Sequence, residues 1–193
     1  WEESAANPIS VLYIWQGGIA LYGGVIGAAL GVIAFCLIKK IPLGTVLDLV
    51  ALGFLIGQTF GRWGNFFNQE AFGSNTTLPW GMSINGAAPV HPTFLYESLW
   101  CLLGFVLLHI LSKRIANRFD GMIFCGYMVW YGAGRFAIES LRTDSLMWGP
   151  FRVSQVLAAI SCFAAVVVLL IMMFKEPSPA KLFVNQVAAR KAE

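Results

Sequence analysis

The sequence predicts an all-α fold, a polytopic bundle of transmembrane helices. Hydrophobic residues make up 58% of the 193-residue chain and charged residues 12%. That charge share is about half of what a soluble domain carries. Five apolar stretches are long enough to serve as membrane spans. The lysines and arginines lie mostly between those stretches and favour one side. The length suits one domain, so we expect a membrane-embedded domain over residues 1–175 and a polar tail over 176–193.

Residues 1–18 are mixed, with Glu2, Glu3, Asn7-Pro8 and Gly17-Gly18, and read as a loop or interfacial piece. The first span is expected over 19–38, closed by Lys39-Lys40 and Pro42. Gly23, Gly27 and Gly31 form a four-spaced stripe on it that would let another helix approach closely. The second span, over 45–60, carries a similar stripe in Gly53, Gly57 and Gly61, and Asp48 near its start reads as a solvated interfacial carboxylate. Residues 68–92 hold Ser74-Asn75-Thr76-Thr77, Pro79, Pro89 and Pro92, a loop outside the bilayer between the second and third spans. The third and fourth spans are expected over 93–111 and 121–141, a short loop over 142–151, and the fifth span over 152–174. The polar tail from Lys175, with Pro177 and Pro179, is expected to be flexible.

Five spans put the chain ends on opposite sides. Lys39, Lys40, Lys113, Arg114, Arg118, Lys175, Lys181, Arg190 and Lys191 then share one side, the cytoplasmic one. Arg62, Arg135, Arg142 and Arg152 fall at the other edge and are not explained by topology. Cys36, Cys101, Cys125 and Cys162 each lie in an apolar run and read as small buried hydrophobes, without metal-ligand or disulfide spacing. Trp1, Trp15, Trp80 and Trp148 suit an aromatic belt. His109, among leucines, reads as interfacial and structural. No metal signature, nucleotide fingerprint or catalytic triad is visible, no cofactor is implied, and nucleic-acid binding does not fit so hydrophobic a chain.

The polar groups concentrate in Gly61-Arg62-Trp63-Gly64-Asn65-Phe66-Phe67-Asn68-Gln69-Glu70-Ala71-Phe72-Gly73. So many polar groups at the end of an apolar run are costly unless they meet a polar partner. A guanidinium flanked by amides suits an anionic head group such as phosphate. Arg62, Asn65 and Gln69 would share a face if the helix continues. Tyr131, Arg135, Glu139 and Arg142, at i, i+4, i+8 and i+11, lie on one helical face. Arg135–Glu139 alone could be an ordinary ion pair. In a membrane, two cations against one carboxylate call for an anion. His91, before Pro92 and near Tyr96-Glu97, could be a base, a head-group donor or a solvated loop histidine.

These blocks resemble a known family. Gly61 to Glu70, His91-Pro92-Thr93-Phe94-Leu95-Tyr96-Glu97 and Tyr131-Gly132-Ala133-Gly134-Arg135-Phe136-Ala137-Ile138-Glu139-Ser140-Leu141-Arg142 resemble the signatures of bacterial prolipoprotein diacylglyceryl transferases. Gly17-Gly18-Ile19-Ala20-Leu21-Tyr22-Gly23-Gly24 is similar to the family's glycine-rich start, and the blocks keep the family's order. The resemblance implies a multi-pass enzyme of the bacterial inner membrane. It would move the diacylglyceryl group of phosphatidylglycerol to the lipobox cysteine thiol of a preprolipoprotein, the first step of lipoprotein maturation. Its partners would be phosphatidylglycerol, the lipobox peptide and the bilayer. Residues 1–175 would be the transferase domain, with the active site extracytoplasmic and the C-terminus cytoplasmic.

By position, the resemblance implies that Arg62 and Arg135 hold the phosphate and steady the leaving group. It implies that Asn65, Glu70 and Gly73 shape the head-group site, that Glu139 orients Arg135 and that Tyr131 borders the reacting centre. The attacking species is a thiolate, which needs a base or a strongly positive field. Tyr22 stands where many members place a histidine, so deprotonation would fall to His91 or to the positive field. The family usually has seven spans, and the five expected in this chain suggest that upstream spans are absent. A non-catalytic phospholipid-binding membrane protein and a small transporter are the rival readings. A transporter should place polar groups at mid-membrane depth in several spans, whereas in this sequence they cluster at one surface.

Overall fold

The computed structural model describes residues 21–84, 86–114, 119–175 and 182–192. The expectations for residues 1–18, Arg118, Lys181 and the Tyr22 side chain lie outside what it describes. The chain divides into two compact units, residues 1–41 and 42–193. In the first, helix α1 spans Leu21–Lys39. Lys40 ends it in a left-handed conformation (φ 54°), with the Ile41 amide donating to the Cys36 carbonyl at 3.0 Å. This is the usual way to satisfy the last carbonyls of a helix, and Pro42 prevents continuation.

The second unit holds α2 (Leu43–Phe67), α3 (Thr93–Arg114), α4 (Met122–Glu139), a two-stranded hairpin of β1 (Met147–Trp148) and β2 (Phe151–Arg152), α5 (Val153–Phe174) and α6 (Phe183–Ala192). By length and composition three helices can cross a membrane: Leu43–Phe67, Thr93–Lys113 and Val153–Phe174. The sequence leads to an expectation of five. α1 qualifies only as a shorter apolar helix over Ile26–Lys39. α4 is a helix, but Arg135, Glu139, two tyrosines and three glycines dilute its apolar character. The described chain is therefore an all-α membrane protein in its main elements, with one small hairpin where the sequence suggests a plain loop. The tail, expected to be flexible, carries α6.

Ala51 and Leu55 of α2, Cys101 and Leu108 of α3, and Ile123 and Tyr127 of α4 form the buried core of this unit. Outward-facing Leu49, Phe60, Phe163 and Phe174 are exposed, as expected of side chains whose solvent is lipid. Cys36, Cys101 and Cys125 are buried and all four cysteines are free, in line with their reading as small apolar groups. His109 stacks on Phe105 (centroids 5.6 Å apart), a packing role.

Two devices fix α4. At its start, the Asp48 carboxylate accepts hydrogen bonds from the Gly121 and Phe124 amides at 2.8 and 2.9 Å. Asp48 is thus not the solvated carboxylate expected from its place near a span end. It satisfies two of the orphan donors that every helix N-terminus leaves. Gly44 lets this approach happen, because a Cβ there would collide with the Asp120 carbonyl. Midway along, Trp100 and Trp130 stack at 4.3 Å and each indole donates to the other's backbone carbonyl at 2.9 Å. Farther along, the Gly132 position meets the Ala158 carbonyl and Cys162 Cβ at 3.0 and 3.1 Å, which brings α5 close.

Candidate functional site

At the opposite end of α4, charged side chains from three helices form one continuous chain. α2 runs unbroken to Phe67, so Arg62 lies on its last turns. Its Nη2 sits 2.6 Å from Glu97 Oε2 on the second turn of α3. The other Glu97 oxygen sits 2.7 Å from Arg135 Nη1 on α4. Arg135 Nη2 is 2.7 Å from Glu139 Oε2, and Arg142 Nε is 4.0 Å from the same oxygen. Arg142 then forks onto Asp144 with hydrogen bonds of 3.0 and 2.9 Å. Those bonds hold the Asp144 carboxyl below its ordinary pKa. Arg152 donates to the backbone carbonyls of Glu139 and Arg142.

Glu97 and Glu139 are 4% and 1% exposed. A carboxylate so deeply placed is costly unless paired, and here each meets guanidinium groups. On the sequence alone, two cations are expected to face one carboxylate. Instead, Arg62, Arg135 and Arg142 face Glu97, Glu139 and Asp144, while Arg152 binds backbone carbonyls only. The ion-paired groups therefore balance, three arginines against three carboxylates. The excess expected from the sequence is absent within the pairs, because Glu97 and Asp144 reach the cluster from outside the helix that carries Arg135. Arg152 adds one positive charge beside them.

The remaining predicted residues fall into separate places. Gly73 is a junction: its amide donates to the His91 carbonyl and the next amide, of Ser74, donates to the Leu141 carbonyl, at 2.9 and 2.8 Å. A Cβ at Gly73 would sit 2.7 Å from His91 Cβ, so only glycine fits. This junction ties the 68–92 loop to the starts and ends of the helices that carry the ion pairs. Thr93 supports it by donating its hydroxyl to the Ala71 carbonyl. His91 Nδ1 lies 3.3 Å from the Tyr96 hydroxyl, which also accepts from Trp80 Nε1 at 2.9 Å. Tyr131 stacks on Tyr127 (5.7 Å, 13°), whose hydroxyl accepts from Gln58 Nε2 at 2.9 Å. Asn65 lies on the last turn of α2, one turn beyond Arg62, and is half-buried. Glu70 is exposed and pairs with Asn68 at 3.1 Å. Gln69 does not share the face of Arg62, because the helix ends at Phe67 and Gln69 turns left-handed (φ 54°). A surface depression of about 460 Å³ lies in the loop, lined by Asn75, Thr76, Thr77, Ala88 and Pro89, apart from the ion-pair chain.

Sequence reasoning places Arg62, Arg135, Glu139 and Arg142 at one membrane edge but gives Glu97 no role. Its signal is a carboxylate inside an apolar helix, which has to find a cation. The partner cannot be read by helical spacing, because it comes from two other helices.

Residues 3–172 match the family described as prolipoprotein diacylglyceryl transferase. The chain belongs to that family. Among its relatives, the phosphatidylglycerol–prolipoprotein diacylglyceryl transferase of Listeria monocytogenes serotype 4a (strain HCC23) is 49% identical over 170 residues, covering 82% of this chain and 60% of the relative. The enzyme of that name from Trichormus variabilis (strain ATCC 29413 / PCC 7937) is 46% identical over 171 residues, covering 82% and 61%. The one from Bacillus cytotoxicus (strain DSM 22905 / CIP 110041 / 391-98 / NVH 391-98) is 44% identical over 170 residues, covering 82% and 62%. The chain thus spans about three fifths of the length of the transferases it matches.

Proposed function

We propose that this chain carries the phospholipid-handling core of a phosphatidylglycerol–prolipoprotein diacylglyceryl transferase. The carrying observation is that Arg62 and Arg135, from different helices, share the two oxygens of Glu97. Guanidinium groups from separate helices therefore meet in one cluster at a helix end. A guanidinium has five N–H donors, and the carboxylate contacts use only some of them. The rest suit the phosphate of phosphatidylglycerol, held in two-point fashion.

In the reaction, the lipobox thiolate attacks the glyceryl carbon that bears the phosphate ester. The C–S bond forms as the C–O bond breaks, and the electron pair leaves on glycerol phosphate. Arg62 and Arg135 bind the phosphate and stabilise the charge it gains. Glu97 and Glu139 hold Arg135 from two sides, so its orientation is set before lipid arrives. Asn65, Glu70 and Gly73 border the head group, and Tyr131 borders the reacting centre. The thiol loses its proton to His91 or into the positive field. The family membership and the names of the relatives support this reading.

Within the same proposal, α1 and α4 also cross the bilayer, giving five spans of a seven-span whole. Residues 1–175 form the membrane-embedded transferase domain and 176–193 a cytoplasmic tail. The lysine and arginine bias supports an orientation in which the ion-pair end lies on the extracytoplasmic side of a bacterial inner membrane. Arg135→Ala in the full-length protein should abolish transfer to a lipobox peptide while leaving the protein inserted. Full transfer by that variant would remove Arg135 from the mechanism. Phosphatidylglycerol retention without any transfer by the native protein would favour the non-catalytic lipid-binding reading instead.

A further inference from the structure

The hairpin between α4 and α5 presents four large apolar side chains within six residues. Leu146, Met147, Trp148 and Phe151 are 69%, 52%, 78% and 63% exposed. Gly149, at φ 59°, makes the tight turn between the strands, and Trp148 pairs with Phe151 across them. Side chains alternate between faces along a strand. Leu146, Trp148 and Phe151 therefore share one face, and Met147 lies on the other. The Leu146, Trp148 and Phe151 face is wholly apolar, whereas Met147 shares its face with its cross-strand partner Arg152, whose guanidinium turns to the Glu139 and Arg142 carbonyls. An apolar face beside an anchored cation suits the boundary between head groups and acyl chains.

The base of the hairpin is polar and held. Arg152 donates to the Glu139 and Arg142 carbonyls, the Val153 amide donates to the Leu146 carbonyl at 3.0 Å, and Arg142 forks onto Asp144. No linker separates the tip from the bilayer, because α5, which is long and apolar enough to span, begins at Val153. From base to tip the hairpin rises about 10 Å, at roughly 3.3 Å per strand residue. That matches the depth of about 5–10 Å to which interfacial elements sink. Tryptophan is also the side chain most suited to that boundary.

We propose that this hairpin is a membrane-interface wedge. Its tip sits at the boundary of head groups and acyl chains in the leaflet beside the ion-pair chain. Its base thereby holds Arg142 and Arg152 at head-group depth, where phosphate is the matching charge. The inference stands apart from the transferase reading, because what it fixes is depth and not chemistry.

The test uses the whole protein in nanodiscs of phosphatidylcholine and phosphatidylglycerol whose acyl chains are brominated near the head group. The emission of Trp148 is isolated as the difference between the native protein and Trp148→Phe. The expected component is blue-shifted, quenched by brominated lipid and little affected by acrylamide. A second variant, Met147→Ser with Phe151→Ser, should cut that lipid quenching roughly twofold by weakening insertion. A component quenched by acrylamide and untouched by brominated lipid would overturn the proposal. Shielding from acrylamide that develops only when an apolar lipobox peptide is added would also overturn it, assigning the tip to peptide docking.

Discussion

Glu97 has two guanidinium partners on two different helices, and this decides what its charge is for. A carboxylate 4% exposed in an apolar helix is costly unless it is paired. Here Arg62 and Arg135 sit 2.6 and 2.7 Å from its two oxygens. Glu97→Gln keeps the shape and removes the charge, leaving both arginines short of a partner. Breaking a buried pair on one side costs about 3–5 kcal/mol, and the one-fifth exposure of Arg62 puts the expected loss near the lower figure. Thermal unfolding in nanodiscs measures it. Phosphatidylglycerol should restore more of the lost stability than phosphatidylcholine, since lipid phosphate can take the place of the missing carboxylate. An unchanged unfolding midpoint would mean that Glu97 does not hold the two arginines. The same residue marks where the sequence stops being readable. Arg135 and Glu139 are four apart on one helix, so their pairing at 2.7 Å follows from helical geometry. Glu97 is 38 residues from Arg135, and only the packing of α3 on α4 joins them.

Packing between α3 and α4 turns on small residues that leave room for indoles. A Cβ at Gly104 would strike the Trp130 ring, and one at Gly134 would strike the Trp100 ring. The two glycines thus let the tryptophans stack and exchange hydrogen bonds with opposite backbones. This clasp sets the register that brings Glu97 opposite Arg135. Gly104→Ala should force the stacked pair apart, at a cost of about 1–3 kcal/mol for overpacking. The lost near-ultraviolet circular dichroism of the indole pair and a lowered unfolding midpoint would report it. Retention of both would show that the clasp has slack. The glycines conspicuous in the sequence are others: Gly53, Gly57 and Gly61 recur every fourth residue, yet a Cβ at any of them meets nothing within 4 Å among the described residues. Periodicity exposes a smooth helix face, but it does not say what lies against it. The size of the neighbouring side chain does, and that is a tertiary fact. Asp48 is a similar case, since a carboxylate near a span end looks solvated until the start of another helix is brought to it.

At the scale of the whole second unit, α4 is fixed at its start by Asp48, in its middle by the tryptophan clasp, and at its end by the ion-pair chain. The order of the helices and the clustering of arginines at one end of α4 could be read from the sequence, because apolar length and charge placement are local properties. That only three of the five expected spans are long and apolar enough to cross could not. How tightly the anchors depend on one another could not. Asp48 and Arg62 lie on the same helix 14 residues apart, roughly 21 Å at 1.5 Å per residue. Sites that far apart without shared partners combine additively within a few tenths of a kcal/mol. Arg62 and Arg135 share Glu97, so their effects should not add. A double-mutant cycle on stability tests both statements at once. Arg62→Gln with Arg135→Gln should show a coupling of about 0.5–3 kcal/mol, because the first change already leaves Glu97 short of one partner. Arg62→Gln with Asp48→Asn should show none beyond error. Coupling in the second pair as strong as in the first would mean that the two ends of α4 move as one rigid body and that the ion-pair chain is not a separate unit. Additivity in the first pair would mean that the two arginines do not share a site, and the two-point grip on a lipid phosphate would fall with it.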